Sequence, residues 1–108
     1  MALPLNIYQK VVGVVSTSPE IIYTAPIGYT GVVLMGQVAN LSVNTEEILF
    51  SYVDENTTEI VPNSPVSSND VIKLFNGKLL VLSGDSLQLS GSNATDLKYT
   101  FSILETLN

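Results

Sequence analysis

Carboxylates are the main groups in this chain that could carry acid–base or metal chemistry. The 108 residues include ten Asp and Glu but no histidine, cysteine or tryptophan. Imidazole or thiolate metal sites and Ser-His-Asp or Cys-His catalysis are therefore excluded. Glu46 and Glu47 are neighbours in a predicted strand, where successive side chains point to opposite faces, so they cannot converge as an acid–base pair. We expect no catalytic residue, no cofactor and no enzymatic activity.

Two turns place oxygen atoms close together in sequence. Asp54, Asn56 and Glu59 could offer ligands to calcium, which takes six to eight oxygens, but the EF-hand spacing and its glycine are absent. A solvated turn explains these residues, and we expect no metal site. Asp85 follows Gly84 in a second turn, where we expect its side chain to accept hydrogen bonds from local backbone N–H groups.

Tyrosines could instead form a sugar-binding platform. The candidates are Tyr8, Tyr23, Tyr29 and Tyr52. Tyrosines on half-buried strands usually belong to a core or an interface, because the ring is apolar and only the hydroxyl needs a partner. We therefore expect core and interface positions for most of them.

The charge of the chain limits its partners. The net charge is −6, with ten acidic residues against four basic ones, all lysine, and only 13% of residues are charged. Nucleic-acid binding depends on clustered Lys and Arg, and an anionic membrane repels an acidic protein, so we expect neither partner. The low charge favours a surface that other subunits cover; a surface rich in Ser, Thr and Asn is the alternative.

Short apolar runs separated by turn residues predict an all-β fold. Strands are predicted at 10–17, 20–25, 29–40, 45–53, 59–61, 70–75, 78–82, 87–90 and 96–104. Eight or nine short strands with this spacing are typical of an antiparallel two-sheet β-sandwich, jelly-roll-like in architecture. We expect one domain at 10–108, preceded at 1–9 by either an N-terminal arm or an ordinary first strand.

Two turns organise the second half of the sequence. Asn76-Gly77 is typical of a two-residue type I′ hairpin, which predicts that 70–75 pairs with 78–82. Gly84 and Asp85 then turn the chain into the strand at 87–90. Together these turns predict a three-stranded antiparallel meander.

The run Tyr29–Asn40 is apolar on both predicted faces, with Val32, Leu34 and Val38 on one and Val33, Met35 and Ala39 on the other. A strand of this kind is usually covered on both sides. We expect another subunit to cover one side, in a homo-oligomer, specifically a trimer. The predicted interface residues are Leu3, Leu5, Tyr8, Val33 and Met35.

Three stretches resemble the small all-β virion proteins of tailed bacteriophages: 22–34 (IYTAPIGYTGVVL), 77–87 (GKLLVLSGDSL) and 97–105 (LKYTFSILE). The resemblance implies a non-enzymatic structural protein of the virion, assembled in the host cytoplasm. It favours a capsid decoration, or cement, protein that bridges major capsid subunits on the outer surface. The alternatives are a neck, tail or baseplate module, or a carbohydrate- or receptor-binding β-sandwich.

Overall fold

The computed structural model describes residues 5–108, which form nine strands and no helix. The strands are β1 (Asn6–Val14), β2 (Glu20–Thr24), β3 (Tyr29–Asn40), β4 (Glu46–Val53), β5 (Thr57–Val66), β6 (Val71–Lys73), β7 (Leu79–Val81), β8 (Ser86–Gly91) and β9 (Leu97–Leu107). The all-β prediction is confirmed. Leu3 and the rest of 1–4 lie outside the described residues.

The strands form two antiparallel sheets that pack face to face. Sheet A has the order β1-β9-β3-β6, with β7 also paired to β3, and sheet B has the order β2-β8-β4-β5. The predicted β-sandwich is therefore confirmed. The sandwich is elongated, with extents of 50 × 25 × 23 Å.

Alternation along β9 shows why the sheets pack. Leu97, Tyr99, Phe101 and Ile103 are all buried, as their period of two predicts. Across the layer, the Phe50 ring of β4 lies 5.6 Å from that of Phe101. The core is thus built from the inward faces of both sheets.

A β-bulge in β3 reverses the inside–outside pattern of that strand. The register against β9 shifts between Val33 and Met35. Val33 and Val38 are both fully buried, so they share the inner face although five positions separate them. The prediction that placed Val38 with Val32 and Leu34 was wrong, because an unpaired residue changes the phase of every residue after it.

The hairpin predicted at Asn76-Gly77 was also wrong. β6 pairs with Gln37–Ala39 of β3 and β7 pairs with Gly31–Val33, so the two short strands lie end to end along one edge of β3. Gly77 has a φ of 76°, but a type I′ turn needs positive φ at Asn76 as well, and Asn69 is the one non-glycine residue with positive φ among residues 5–108. The meander is absent because β8 belongs to sheet B.

Two other segments are more extended than their composition suggested. β5 continues to Val66 through Pro62 and Pro65, which an edge strand tolerates because half of its N–H groups have no partner strand. Residues 6–9, for which an arm and a first strand were both considered, lie in β1 and pair with 103–106 of β9.

Candidate protein-contact surface

The outer face of sheet A carries an apolar row across its full width. Tyr8 of β1 pairs with Leu104 of β9, which pairs with Val32 of β3, which in turn pairs with Leu80 of β7. Each lies between inward-facing neighbours, so all four side chains point outward. Tyr8 is 77% exposed and Leu80 is 55% exposed. The row is continuous, with exposed side chains at both ends and half-buried ones, Leu104 and Val32, between them.

Further apolar side chains extend this face towards the other end of the sheet. Val12, Val14, Leu34 and Val71 are all between 40% and 54% exposed. Singly exposed apolar residues are common on protein surfaces, but a contiguous group across four strands is typical of a contact with another protein. We define the outer face of sheet A as the candidate contact surface.

A shallow cleft interrupts this surface where β3 bulges. It is lined by Leu34, Met35 and Gly36 on one side and by Lys73, Phe75, Asn76 and Gly77 on the other. The loop between β6 and β7 forms the second wall, because the two strands leave a gap along β3 that this loop fills. The cleft could accept a side chain from a partner.

The predicted interface residues fall in different places. Val33 is fully buried in the core, so its side chain cannot contact another subunit in the folded chain. Met35 is half-buried and lines the cleft. Leu5 is 71% exposed beside β1, and Tyr8 lies in the apolar row. Leu3 lies outside the described residues.

A buried carboxylate, which the sequence analysis did not single out, links the two sheets. Glu105 of β9 is 3% exposed, and the Tyr23 hydroxyl of β2 donates a 2.7 Å hydrogen bond to its Oε2. Gln9 Nε2 donates to Oε1 at 3.3 Å. Burial, together with this hydrogen bond and the charge of Glu105, raises the pKa of Tyr23 well above its ordinary value. The alternation Phe101, Ile103, Glu105 was the sequence signal that could have located this group.

Gly31 makes room for this pair. A Cβ at Gly31 would lie 2.6 Å from the Tyr23 hydroxyl oxygen, far inside van der Waals contact. The missing Cβ lets the phenol lie against the backbone beside Glu105.

A second carboxylate joins loops at one end of the sandwich. Glu46 accepts hydrogen bonds from Ser92 Oγ at 2.7 Å and from Asn93 Nδ2 and Ser42 Oγ, both at 3.1 Å. The hydrogen bond from Ser92, followed by that from Asn93, lowers the pKa of Glu46. Both carboxylate oxygens of Glu46 thus accept hydrogen bonds from loop side chains, and the carboxylate has a structural role.

The other acidic turn residues also have local partners. Asp54 Oδ1 accepts the N–H of Asn56 at 2.8 Å within its own turn. Asp85 Oδ2 accepts the hydroxyl of Tyr52 at 2.6 Å, so its side-chain partner is a phenol and not the backbone that we predicted. Among residues 5–108, no group of three acidic side chains is placed to hold a metal ion.

The tyrosines do not form a platform. Tyr23 and Tyr29 are buried, and Tyr52 is half-buried against Asp85. Within the described residues, Tyr8 is the one exposed large aromatic side chain. No helix in that part of the chain is long and apolar enough to cross a membrane.

Comparison with known proteins relates the fold to structural assemblies. No protein-family model and no curated protein matches the chain. A chain from the acidic stable capsid structure of Helicobacter pylori bacteriophage KHP30 aligns with a TM-score of 0.60 and 13% identity, covering 96% of this chain and 89% of that one. A chain from the disulfide-linked pili of Bacillus endospore appendages aligns with a TM-score of 0.55 and 16% identity, covering 99% and 93%. The chain thus has a fold that occurs in a phage capsid structure and in a pilus.

Proposed function

We propose that the protein is a non-enzymatic structural component of a tailed-phage virion. More specifically, it is a capsid decoration protein that binds the outer surface and bridges major capsid subunits. The observation that carries this proposal is the apolar row of Tyr8, Leu104, Val32 and Leu80, on a fold shared with a chain of the KHP30 capsid structure. A monomer that exposes such a row gains stability when another protein covers it.

The carboxylates support a structural role. Glu105 binds Tyr23, Glu46 binds three loop side chains, and Asp85 binds Tyr52. A general acid or base must reach a substrate, and these groups are already engaged in holding strands and loops together.

The alternatives differ in how well the chain suits them. A neck, tail or baseplate module would use the same contact surface, and only its location in the particle separates it from a decoration protein. A pilus subunit joined by disulfides is disfavoured, since the chain has no cysteine. A carbohydrate-binding module is disfavoured because a sugar-binding platform needs several exposed aromatic rings, and Tyr8 is the one exposed aromatic side chain among the described residues.

A homotrimer remains our proposal for the oligomeric state, formed through the free edge of β1 with Leu5 at the contact; Tyr8 lies at the margin where this edge meets the outer face of sheet A. β1 is an edge strand of nine residues without proline. Leu107 N–H donates to the Leu5 carbonyl and Val15 N–H to the Leu97 carbonyl, both at 2.8 Å, so the odd residues of β1 face β9. The even residues therefore direct their N–H and C=O groups to the free edge, which natural proteins usually cover.

The function is tested on purified phage particles. Mass spectrometry of density-purified virions should detect the chain, and cryo-electron microscopy should place it on the outside of the capsid. Density at the neck, tail or baseplate would support the alternative location, and absence from purified particles would refute a virion role of any kind.

A further inference from the structure

The two sheets differ sharply in charge. The strands of sheet A contain Lys10, Lys73 and Lys98, and their only acidic residue, Glu105, is buried. The strands of sheet B contain four glutamates, Glu20, Glu46, Glu47 and Glu59, and no lysine. A chain with a net charge of −6 thus concentrates its positive charge on one sheet.

These lysines lie on the candidate contact surface. Lys10, Lys73 and Lys98 are all exposed; Lys73 and Lys98 alternate with more buried positions, and Lys10 pairs with Ser102, which lies between the buried Phe101 and Ile103. Lys98 pairs with Val14 on one side and Ala39 on the other, and Lys73 pairs with Gln37. The positive groups therefore lie among the exposed apolar side chains, and Glu105, the one acidic residue within the strands of sheet A, is buried.

The size of the surface is adequate for a specific contact. Four strands spaced about 4.8 Å apart and roughly nine residues long at about 3.3 Å per residue give roughly 600 Å². Specific interfaces bury about 800 Å² on each partner, so this face alone supplies most of one side.

We propose that the outer face of sheet A docks on a different virion protein, at an apolar patch bordered by Asp and Glu side chains. This inference rests on the proposed function and names the surface and the chemistry of its partner. Apolar contact provides the affinity, and the lysines select a partner with exposed carboxylates. The acidic sheet B then faces away from the docked surface.

A second copy of the chain is a poorer occupant. Face-to-face contact between two copies of sheet A would oppose lysines with lysines. Contact between sheet A of one copy and sheet B of the next would pair lysines with Glu47 and Glu59, but the two faces are on opposite sides of the sandwich. Each added copy would then leave a new free face, and an open stack would grow in place of a limited assembly.

Zero-length carbodiimide cross-linking of purified virions tests the partner, because the reagent joins an amine only to a carboxylate that already touches it. We expect cross-linked peptides that join Lys10, Lys73 or Lys98 to Asp or Glu of another virion protein. Links from these lysines to Glu47 or Glu59 of this chain would overturn the proposal in favour of stacking. Particles that contain the chain but yield no such links would also overturn it, while leaving the proposed function intact.

Matched variants test the contribution of charge. Lys73→Gln with Lys98→Gln, and the control Gln88→Glu with Thr57→Glu on sheet B, each make the net charge of −6 more negative by two. Added to particles produced without the protein, the lysine variant should bind about tenfold more weakly and the control within about twofold of wild type. Equal binding by both variants, or equal loss by both, would refute a lysine-directed contact. Thermal melts of the free proteins check that both variants fold.

Discussion

Replacing Tyr23 with phenylalanine isolates the hydrogen bond that joins the two sheets. The substitution removes only the hydroxyl that donates to Glu105 at 2.7 Å and leaves the buried carboxylate with the longer bond from Gln9. Hydrogen bonds to charged groups contribute about 1.5–3 kcal/mol, and an unpaired buried acceptor adds a desolvation cost. We expect the free energy of unfolding to fall by about 2–3 kcal/mol. For a domain of this length, that corresponds to a melting temperature about 10 °C lower.

Thermal and urea unfolding followed by circular dichroism measure this loss. Tyr52→Phe is the control at a more exposed site, because its hydroxyl donates to Asp85 at 2.6 Å and accepts the Leu82 N–H at 3.1 Å. It should cost about 1 kcal/mol or less. The double variant Tyr23→Phe with Glu105→Leu should recover part of the loss, since no buried charge is then left unpaired. If Tyr23→Phe melts within about 2 °C of wild type, this bond does not stabilise the sandwich as we argue.

Four other outcomes follow from the structure. Gly31→Ala should cost about 1–3 kcal/mol in urea unfolding, because its Cβ would lie 2.6 Å from the Tyr23 hydroxyl; a cost below about 0.5 kcal/mol would contradict that crowding. Val33→Asp should prevent folding, whereas Met35→Asp should keep the circular dichroism spectrum and reduce incorporation into particles. A folded Val33→Asp variant, or an unfolded Met35→Asp variant, would contradict the assigned burial of these side chains. Gly77 has a φ of 76°, and no atom lies within 4 Å of a Cβ added there. Gly77→Ala should therefore lower the free energy of unfolding by about 1 kcal/mol through backbone strain alone, and an unchanged urea midpoint would contradict this strain. Because the folded-state pKa of Tyr23 is raised, the unfolded chain loses that proton first as pH rises past 10.0. Urea midpoints should therefore be steady from neutral pH up to that value and fall above it, less steeply in Tyr23→Phe.

The strands and most of their faces could be predicted from the sequence, because period-two alternation directly reflects burial on one face. Leu97, Tyr99, Phe101 and Ile103 are buried as that pattern requires, and β3 has the predicted bounds, Tyr29–Asn40. The bulge in β3 could not be located by alternation, because both phases of the strand are apolar. Only the pairing with β9 shows which residue is left unpaired.

Strand pairing was predictable only where the local turn decides it. Gly77 does adopt a positive φ, but the choice between a hairpin and pairing with β3 depends on a strand edge more than thirty residues earlier in the chain. That edge is long enough for β6 and β7 to lie end to end, which no local signal reveals. The sequence predicted the apolar residues on both faces of β3, which form part of the contact surface. The lysines are far apart in the sequence, and only the order of the strands brings them to one face.

The position of β9 in sheet A has a consequence for how the protein is made. β9 separates β1 from β3, and the β1 pairing joins residues as far apart as Asn6 and Thr106. A ribosome must therefore synthesise almost the whole described chain before β1 acquires its partner strand. Pairings this distant in sequence make folding slow, on the scale of milliseconds to seconds, and leave apolar strands exposed meanwhile. A nascent chain that stalls before residue 97 would display β1 and one edge of β3 without their shared neighbour, and would be prone to aggregate.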